Sequence, residues 1–565
     1  MRYSIRENIF QLLFRAFRAS GALKKQLQSL QDLFFAAAPV WLPWRGPGSC
    51  DSQFPSLQVR INFQIKTSKF KAAKSLRTAE RVQAIRGRDL ATFKGCSLNG
   101  RSWLKLIGNL APKNRLIFLL PVWLVLMAHV SAQQSAVQYI EYPQILGKAQ
   151  PLHLSSVPKW ATFDGELRAR LENQTSDNYI SGNDQAYVLT RIYGGMEVRP
   201  TKYLTGYIQF IDAHALGLPL QYTAANMRDT FDARQAYLDF HMERYRIIAG
   251  RQELKYGSER LVGISDWTND SRSWDGFLGR VGDKNRLDVF ATSVVQVHPN
   301  SLDTHGAGLT FFGAVGTVGT WVPHAMIQPF VYVKAFPRVQ SQQGIFGTET
   351  AVTTGVEAAG YLPEGLDFDG MIALQRGSYS NNSIDSRAGY IKAGYNLQKL
   401  FLKPRFLGEY DYASGNTRQN LNRINTFDQQ YPSNHNAFGL TDLFGFQNIK
   451  EERMNLDLTP AKHVTVLLQQ EWLQVASRFD NIYSGSAATV VKAPTTGFLS
   501  GDIGREFDAS GKWVIHDYLV MNAGVGHFSP GTVMRENGHG APLTTAYFSL
   551  TYRFKINHKD SSPAP

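Results

Sequence analysis

Arginine side chains in one short stretch of the chain are well suited to bind an acidic ligand. The stretch Gly250–Arg280 reads GRQELKYGSERLVGISDWTNDSRSWDGFLGR and contains Arg251, Arg260 and Arg272. A guanidinium group is planar and binds a carboxylate through two hydrogen bonds. Rows of such cations suit an anion pore when each contact is weak and is repeated along the path. These residue types therefore indicate recognition of anions.

Other charged residues join this set if the segments that carry them are strands, whose side chains alternate between two faces. The cations that this pattern puts on the polar face are Arg191, Lys392, Arg405 and Arg553. The same pattern puts Arg234 on the apolar face, at a membrane boundary. We expect nearby carboxylates to pair with the cations and hold them in place, namely Glu253, Glu259, Asp266, Asp270, Asp275, Asp288, Glu409 and Asp411. For each single charge, the alternative is a solvated residue without a special role.

A second stretch, residues 414–449, has the composition of one long loop. A loop of this length in a compact domain usually has a function, and in a barrel it often folds inward and gates the channel. The candidates for such a gate are Asp428, Tyr431, His435 and Asp442. A metal held by His435 and the two aspartates is a weaker alternative, because their spacing matches no ligand pattern, and we expect no metal.

Nothing in the sequence indicates catalysis. The histidines have no serine beside them in a G-x-S-x-G nucleophile motif. Glu409 and Asp411 could serve a glycosidase only if a sugar lay between two carboxyl groups about 5–10 Å apart. A same-face pair of this kind is common in porins. We therefore expect neither an enzyme nor a cofactor.

An export signal lies far inside the chain. Lys113 and Arg115 precede an apolar run, Leu116–Val130, and small residues end at Ala132, where we expect cleavage. A membrane-spanning helix is the alternative, but it would need roughly 20 apolar residues. The segment 113–132 is therefore predicted to be a signal peptide.

The basic character of the chain belongs to the part before this signal. Residues 1–112 carry a net charge of +14 and both cysteines, whereas residues 133–565 carry −2. The exported part therefore has no disulfide, no thiolate metal site and no basic surface for nucleic acid. We expect 1–112 to be a disordered extension. Its origin is either a start codon assigned too far upstream or a genuine cytosolic extension.

After residue 132 the chain consists of short alternating segments separated by turn clusters. In Ala546–Phe554, AYFSLTYRF, one face is apolar and the other is polar. A soluble sandwich and a membrane barrel share this pattern. The export signal, the lack of helical patterns and the aromatic strand ends favour the barrel. Trp267 and Trp274 then belong to its interfacial belt or stack on sugars.

The predicted architecture is a closed antiparallel transmembrane β-barrel. At roughly 22–26 residues for a strand and its connection, we expect about 18 strands, with 16 as the alternative. A barrel this wide leaves an aqueous channel. We assign 133–159 to a periplasmic segment, 160–554 to the barrel and 555–565 to a polar tail.

Three blocks in order resemble the alginate export family of outer-membrane barrels. The first is Gly250–Arg280, with GRQ, YG…RL and W-x-N-x-x-RS-x-DG elements. The second is Glu409–Ile449, with EYDYASG, TFDQQYP and QNI, and the third is Arg505–Pro530. The resemblance implies an 18-stranded channel that narrows at an arginine-rich constriction for an acidic polysaccharide.

Three functions remain open at this point. The first is passive export of an alginate-like polyuronate across the outer membrane through an arginine-lined lumen. The second is a general or small-anion-selective porin for uptake, and the third is a non-transporting barrel that acts as an adhesin or scaffold. We expect a monomer that contacts outer-membrane lipid and the barrel-assembly machinery, with a periplasmic helical-repeat scaffold as a further partner.

Overall fold

The computed structural model describes residues 149–558 except 307, 342–343, 418–421 and 436. The extension 1–112, the signal peptide and most of the segment 133–159 lie outside these residues. Within the described part, eighteen strands form a closed antiparallel ring, as expected. None of the helices in this part is long and apolar enough to cross a membrane.

The eighteen barrel strands follow one another around the ring, and the first pairs with the last. They are β2 (Ala161–Thr175), β3 (Gln185–Thr201), β4 (Leu204–Leu216), β5 (Asp229–Met242), β6 (Tyr245–Gln252), β7 (Trp274–Gly282), β8 (Asn285–Gln296), β10 (Phe311–Val318), β11 (Ala325–Gln340), β12 (Phe346–Tyr361), β13 (Leu366–Tyr379), β14 (Asn382–Asn396), β15 (Arg405–Ala413), β17 (Ile449–Ala461), β18 (Val464–Val475), β21 (Asp502–His516), β22 (Leu519–Pro530) and β23 (Leu543–His558).

Shorter elements lie at the two ends of the ring. They are β1 (Gln150–Leu154), β9 (Thr304–His305), β16 (Arg423–Ile424), β19 (Ile482–Tyr483), β20 (Thr489–Val491), the helix α1 (Thr532–Glu536) and four 3₁₀ turns, Asp177–Tyr179, Leu220–Tyr222, Ala225–Met227 and Pro363–Gly365. β1 pairs in parallel with β23, whose last residue is His558 rather than Phe554. The barrel sheet therefore reaches into both segments that flank the predicted 160–554 range.

Alternation along the strands makes the outer face apolar. On β14, Ile391 is exposed on the outside and Lys392 beside it is buried on the inside. The same exposure of large apolar side chains recurs around the ring at Ile372, Met454 and Phe548. An apolar outer band with a polar interior is the arrangement that lets a barrel sit in lipid.

The two ends of the barrel differ in the length of their connections. At one end, two-residue turns such as 202–203, 243–244 and 283–284 join the strands. At the other end most connections are long, although residues 380–381 form a two-residue turn there, and residues 253–273, 414–448 and 476–501 are the longest insertions. Outer-membrane barrels have short turns on the periplasmic side and long loops on the extracellular side.

The prediction for Arg234 was wrong, because a β-bulge shifts the alternation of β5. Gln209 of β4 pairs with Gln235, but Phe210 pairs with Ala233, so Arg234 is the extra residue. The inserted residue turns its side chain inward, where it is 5 % exposed. Period-two counting cannot detect this insertion.

The hydrophobic core lies inside the ring. Four phenylalanines of the 414–448 connection are fully buried, namely Phe427, Phe438, Phe444 and Phe446. They belong to one cluster with inward-facing side chains of the strands, such as Phe290 and Tyr332. The barrel is therefore filled by its own loops over part of its height.

Candidate functional site

Two long loops fold into the lumen and meet there. We call residues 253–273 the first inner loop and residues 414–448 the second inner loop. Val262 and Tyr431 form a parallel bridge between them, and Glu259 accepts a hydrogen bond of 2.8 Å from Ser433. Together the loops narrow the path through the barrel.

Arginines of β2 hold the first inner loop by its backbone carbonyl groups. Arg168 donates to the carbonyls of Asp266 and Thr268 at 2.7 and 2.8 Å. Arg170 donates to the carbonyl of Trp267 at 2.6 Å. Both arginines come from the alternating sequence ELRARLE, which places every second side chain in the lumen.

Arg191 of β3 binds the same segment through a carboxylate. Its guanidinium lies 2.5 Å from Glu166 and 3.0 Å from Asp266. Burial alone would raise the pKa of Asp266, but Arg191 and Arg168 outweigh burial and lower this pKa to about 2. The Asp266 carboxylate therefore stays ionised and binds the first inner loop to the arginines of the barrel wall.

Asn269 and Ser271 attach the same loop to its neighbouring strands. The Asn269 amide donates to the backbone carbonyls of Thr190, His214 and Met227 at 3.0–3.2 Å. Arg234, from the bulge of β5, donates to Ser271 at 2.7 Å and to Glu253 at 2.6 Å.

A stack of three side chains joins the two inner loops to the wall. The Trp267 ring lies 3.5 Å from the His435 ring at an angle of 6°. The Arg170 guanidinium lies 3.7 Å from the centre of the Trp267 ring. Burial, with a contribution from Arg170, lowers the pKa of His435 well below its usual range, so its imidazole is neutral. The belt prediction for Trp267 was therefore wrong, and so was that for Trp274, which is fully buried.

Arg260 anchors the first inner loop on the far side of the lumen. Its guanidinium lies 2.5 Å from Glu409 and 3.4 Å from Asp411, both on β15. It also donates to the carbonyl of Ala437 in the second inner loop at 3.1 Å. This one side chain therefore links both loops to the wall.

A wall of carboxylates surrounds that anchor. Its buried acidic residues are Glu409, Asp411, Glu451, Glu471, Glu506 and Asp508. Arg453 lies 3.0 Å from Glu409, 2.6 Å from Glu451 and 2.9 Å from Glu471. Lys392 lies 3.3 Å from Glu409. We call this set of six carboxylates the acidic wall.

Backbone N–H groups of the second inner loop bind the acidic wall. Thr441 donates to Glu506 at 2.9 Å, and Leu440 donates to Asp508 at 3.1 Å. The first inner loop thus offers carbonyls to arginines, while the second offers N–H groups to carboxylates. The second inner loop also offers carbonyls to arginines, at Ala437 for Arg260 and at Tyr431 and Pro432 for Arg272.

The remaining gating candidates also lie at contacts of the second inner loop. Asp428 accepts a hydrogen bond of 2.6 Å from Lys334 of β11. Arg272 donates to the carbonyls of Gly263, Tyr431 and Pro432 at 2.7–3.1 Å. Burial, followed by the charge of Glu172, raises the pKa of Asp442 to about 6.

Other predicted pore residues are joined in ion pairs away from the inner loops. Arg251 lies 2.9 Å from Asp275, and Arg405 lies 2.7 Å from Asp367 and 2.6 Å from Asp457. The Arg553 guanidinium lies 2.5 Å from Glu166. Asp288 is 2.7 Å from Arg280.

The residues predicted from the sequence do not include four cations that contact the inner loops or the acidic wall, namely Arg168, Arg170, Lys334 and Arg453. For the two arginines of β2 a signal was present, because ELRARLE alternates as regularly as any segment in the chain. Lys334 lies 94 positions from its loop partner Asp428, whereas Arg453 lies only 16 positions from the Ala437 carbonyl that it contacts.

A closed barrel with an apolar outer face, a charged interior and long loops folded into its lumen defines an outer-membrane channel protein. The family model described as alginate export matches residues 159–543. This chain belongs to the alginate export family and resides in the outer membrane.

Solved structures with a similar fold come from Pseudomonas aeruginosa. OccK11 (OpdR) is 12 % identical, with 72 % of this chain and 98 % of that chain covered and a TM-score of 0.46. OpdO is 12 % identical, covering 70 % and 97 %, with a TM-score of 0.47. OccK8 (OprE) is 11 % identical, covering 70 % and 98 %, with a TM-score of 0.47. No curated protein matches the chain.

Proposed function

We propose that this channel exports an acidic polysaccharide of the polyuronate type and that wall arginines bind the carboxylates of the polymer. The observation that carries the proposal is the set of contacts between the first inner loop and Arg168, Arg170 and Arg191. The loop presents to these arginines a line of oxygen atoms, from carbonyls 266–268 and from the Asp266 carboxylate. A polyuronate chain presents a similar line of oxygens.

In this proposal the first inner loop and the polymer compete for the same arginines. When the loop withdraws, the guanidinium groups lose their hydrogen-bond acceptors and bind carboxylates of the passing chain instead. A charge-assisted hydrogen bond contributes about 1.5–3 kcal/mol, which favours entry of the polymer. Several equivalent arginines in a row let the polymer move from one to the next without being trapped.

The proposed environment of the channel follows from its closed ring. The lumen belongs to one chain, so a monomer suffices for transport. Outer-membrane lipid contacts the apolar outer face, and the barrel-assembly machinery inserts the protein. A periplasmic helical-repeat scaffold would deliver the polymer to the end with short turns.

The test is single-channel recording of the mature chain in a planar bilayer, with polymannuronate compared with neutral dextran. Two variants separate the gate from the binding site. Asp266→Asn weakens the hold on the loop but keeps the wall cations, so we expect more frequent opening and an intact block by polymannuronate. Arg168→Ala loosens the same loop and removes a wall cation, so we expect more frequent opening with block about tenfold weaker.

Arg199→Ala is the matched control, because Arg199 lies on the same strand as Arg191 but is exposed and pairs with Glu197. It should change neither opening nor block. Anion current that ignores polymannuronate in every variant would favour a small-anion porin. Absence of current even in Asp266→Asn would favour a non-transporting adhesin or scaffold.

A further inference from the structure

Three carboxylates meet at the long-loop end of the barrel, outside the contacts described above. Asp229 and Asp232 belong to β5, and Asp303 belongs to the loop 297–310. One oxygen from each lies within 4.8 Å of the other two. Asp229 and Asp232 are almost fully buried, at 2 % and 4 % exposure.

An irregularity in β5 brings the two strand carboxylates together. Residues three apart on a regular strand point to opposite faces. Here Ile211 pairs with Asp232 while Ala213 pairs with Asp229, so β5 has one residue more than β4 over this span. The extra residue puts both carboxylates on the same side, facing Asp303.

One oxygen of this cluster is buried without any compensating contact. Oδ1 of Asp229 has no hydrogen-bond partner among the described residues. By contrast, Asp232 accepts hydrogen bonds from the backbone N–H groups of Ala233 and Asp303, both at 2.5 Å. Burying a carboxylate oxygen without a partner is costly, and buried carboxylates are therefore paired, protonated or bound to a metal ion.

The positive charge near the cluster is insufficient to neutralise it. Arg251 lies 3.8 Å from Asp232 and is shared with Asp275. The charges of Asp270 and Asp212 also act on Asp229. Burial, and further the charge of Asp232, raises the pKa of Asp303.

We propose that Asp229, Asp232 and Asp303 form a calcium site that ties the loop 297–310 to β5. Calcium binds carboxylate oxygens at about 2.3–2.6 Å, so two of its ligands lie at most about 5 Å apart. Magnesium demands near-ideal octahedral geometry and usually keeps several water ligands, so a cluster of three protein carboxylates favours calcium. Asp303 accepts one hydrogen bond, from the His298 N–H at 2.8 Å. Because each carboxylate oxygen has two lone pairs, the hydrogen bonds to Asp232 and Asp303 leave lone pairs free for a cation. The site is independent of the proposed polymer transport.

The experiment is a calcium titration of the purified mature chain in detergent, free of lipopolysaccharide and first treated with a chelator. Isothermal titration calorimetry should give one calcium per barrel, with a Kd on the order of 0.1–1 mM, as in other extracellular sites. Thermal unfolding should show a higher Tm with calcium. Asp229→Asn and Asp303→Asn should each weaken binding about tenfold or more.

The control is Asp283→Asn, because Asp283 is exposed in a turn at the opposite end. It should bind calcium like the wild type. Without calcium, Asp229→Asn should unfold at the same temperature as the wild type or higher, because the change removes repulsion. If it fails to fold, Asp303→Asn decides, since Asp303 lies in a loop and is only partly buried. Calcium binding that both asparagine variants retain, or equal binding of magnesium, would overturn the assignment.

Discussion

At the residue scale, several arginines that contact the inner loops are paired with carboxylates. Arg260 is bound to Glu409 and Asp411, and Arg191 is bound to Glu166 and Asp266. Removing one partner of a buried ion pair leaves the other charge uncompensated, which costs about 3–5 kcal/mol. These arginines therefore hold the inner loops in the lumen, and in the proposed transport only displacement of a loop would make them available to a ligand.

Asp442 makes the stability of the folded protein depend on pH in a specific way. Burial raises its pKa to about 6 from an ordinary value near 3.8, so its ionised form destabilises the folded state at pH 7. Asp442→Asn should therefore be more stable than the wild type at pH 7, by about 3 kcal/mol. The difference should shrink as the pH falls through 6 towards 4, because the wild-type carboxyl then takes up its proton.

Guanidinium unfolding in lipid vesicles at pH 7, 5.5 and 4, followed by tryptophan fluorescence, measures this difference. Asp283→Asn is a suitable control, because Asp283 is exposed in the turn 283–284. A constant difference between Asp442→Asn and the wild type across this range would contradict the prediction.

At the scale of elements, alternation identified the strands but not their irregularities. The outward apolar and inward polar residues of β15 and β23 agree with the period-two pattern. The pattern failed at Arg234, where one inserted residue reverses the faces. A bulge depends on the neighbouring strand, so it has no signature in the strand's own sequence.

The contacts of the two inner loops could not be predicted from the sequence. The length of the second inner loop indicates that it folds inward. The sequence predicts pore-lining residues in the first inner loop but does not indicate that this segment is itself folded into the lumen. Arg260 and Glu409 are 149 positions apart, and Arg168 and Asp266 are 98 apart. Contacts of this range are set by the closed ring and not by local spacing.

The first inner loop is predicted to be the main obstruction to current. Replacing residues 264–271 by two glycines removes the segment that contacts Arg168, Arg170 and Arg191, so single-channel conductance should rise severalfold and anion selectivity should increase. The measurement is conductance and reversal potential in a planar bilayer under a salt gradient.

The control is a deletion in another long connection at the same end of the barrel. Leu220–Tyr222 is an exposed 3₁₀ turn in another long connection, and its removal should leave conductance unchanged. Equal conductance of the wild type and the variant lacking 264–271 would show that the second inner loop alone closes the path.

At the scale of the whole molecule, the ring and its apolar band were the most predictable features. Eighteen strands follow from the chain length and the typical span of a membrane strand, and the count is confirmed. The pairing of β2 with β23 closes the ring, so the outer face presents side chains only to lipid. The packed interior was not predicted, because a wide barrel was expected to be open.

The apolar band gives a prediction about membrane insertion. Ile391 is 64 % exposed on the outer face of β14. Ile391→Arg should therefore reduce the free energy of folding into vesicles by about 2–4 kcal/mol if the residue lies near the bilayer centre. Leu220→Arg is the matched control, because Leu220 is 69 % exposed but lies in a loop beyond the strands. Similar losses for both variants would argue against lipid contact at Ile391.

The use of peptide groups by both inner loops has a genetic consequence. Arg168 holds carbonyls of residues 266 and 268, and Glu506 holds the N–H group of Thr441. A point mutation at residue 268 or 440 replaces a side chain but leaves the backbone group in place, so we expect the loop contacts to tolerate substitution there better than at Asp266 or Arg260, whose side chains bind the wall. Mutants that leak should therefore fall on the barrel wall and at those two loop positions, where one changed codon removes the partner itself.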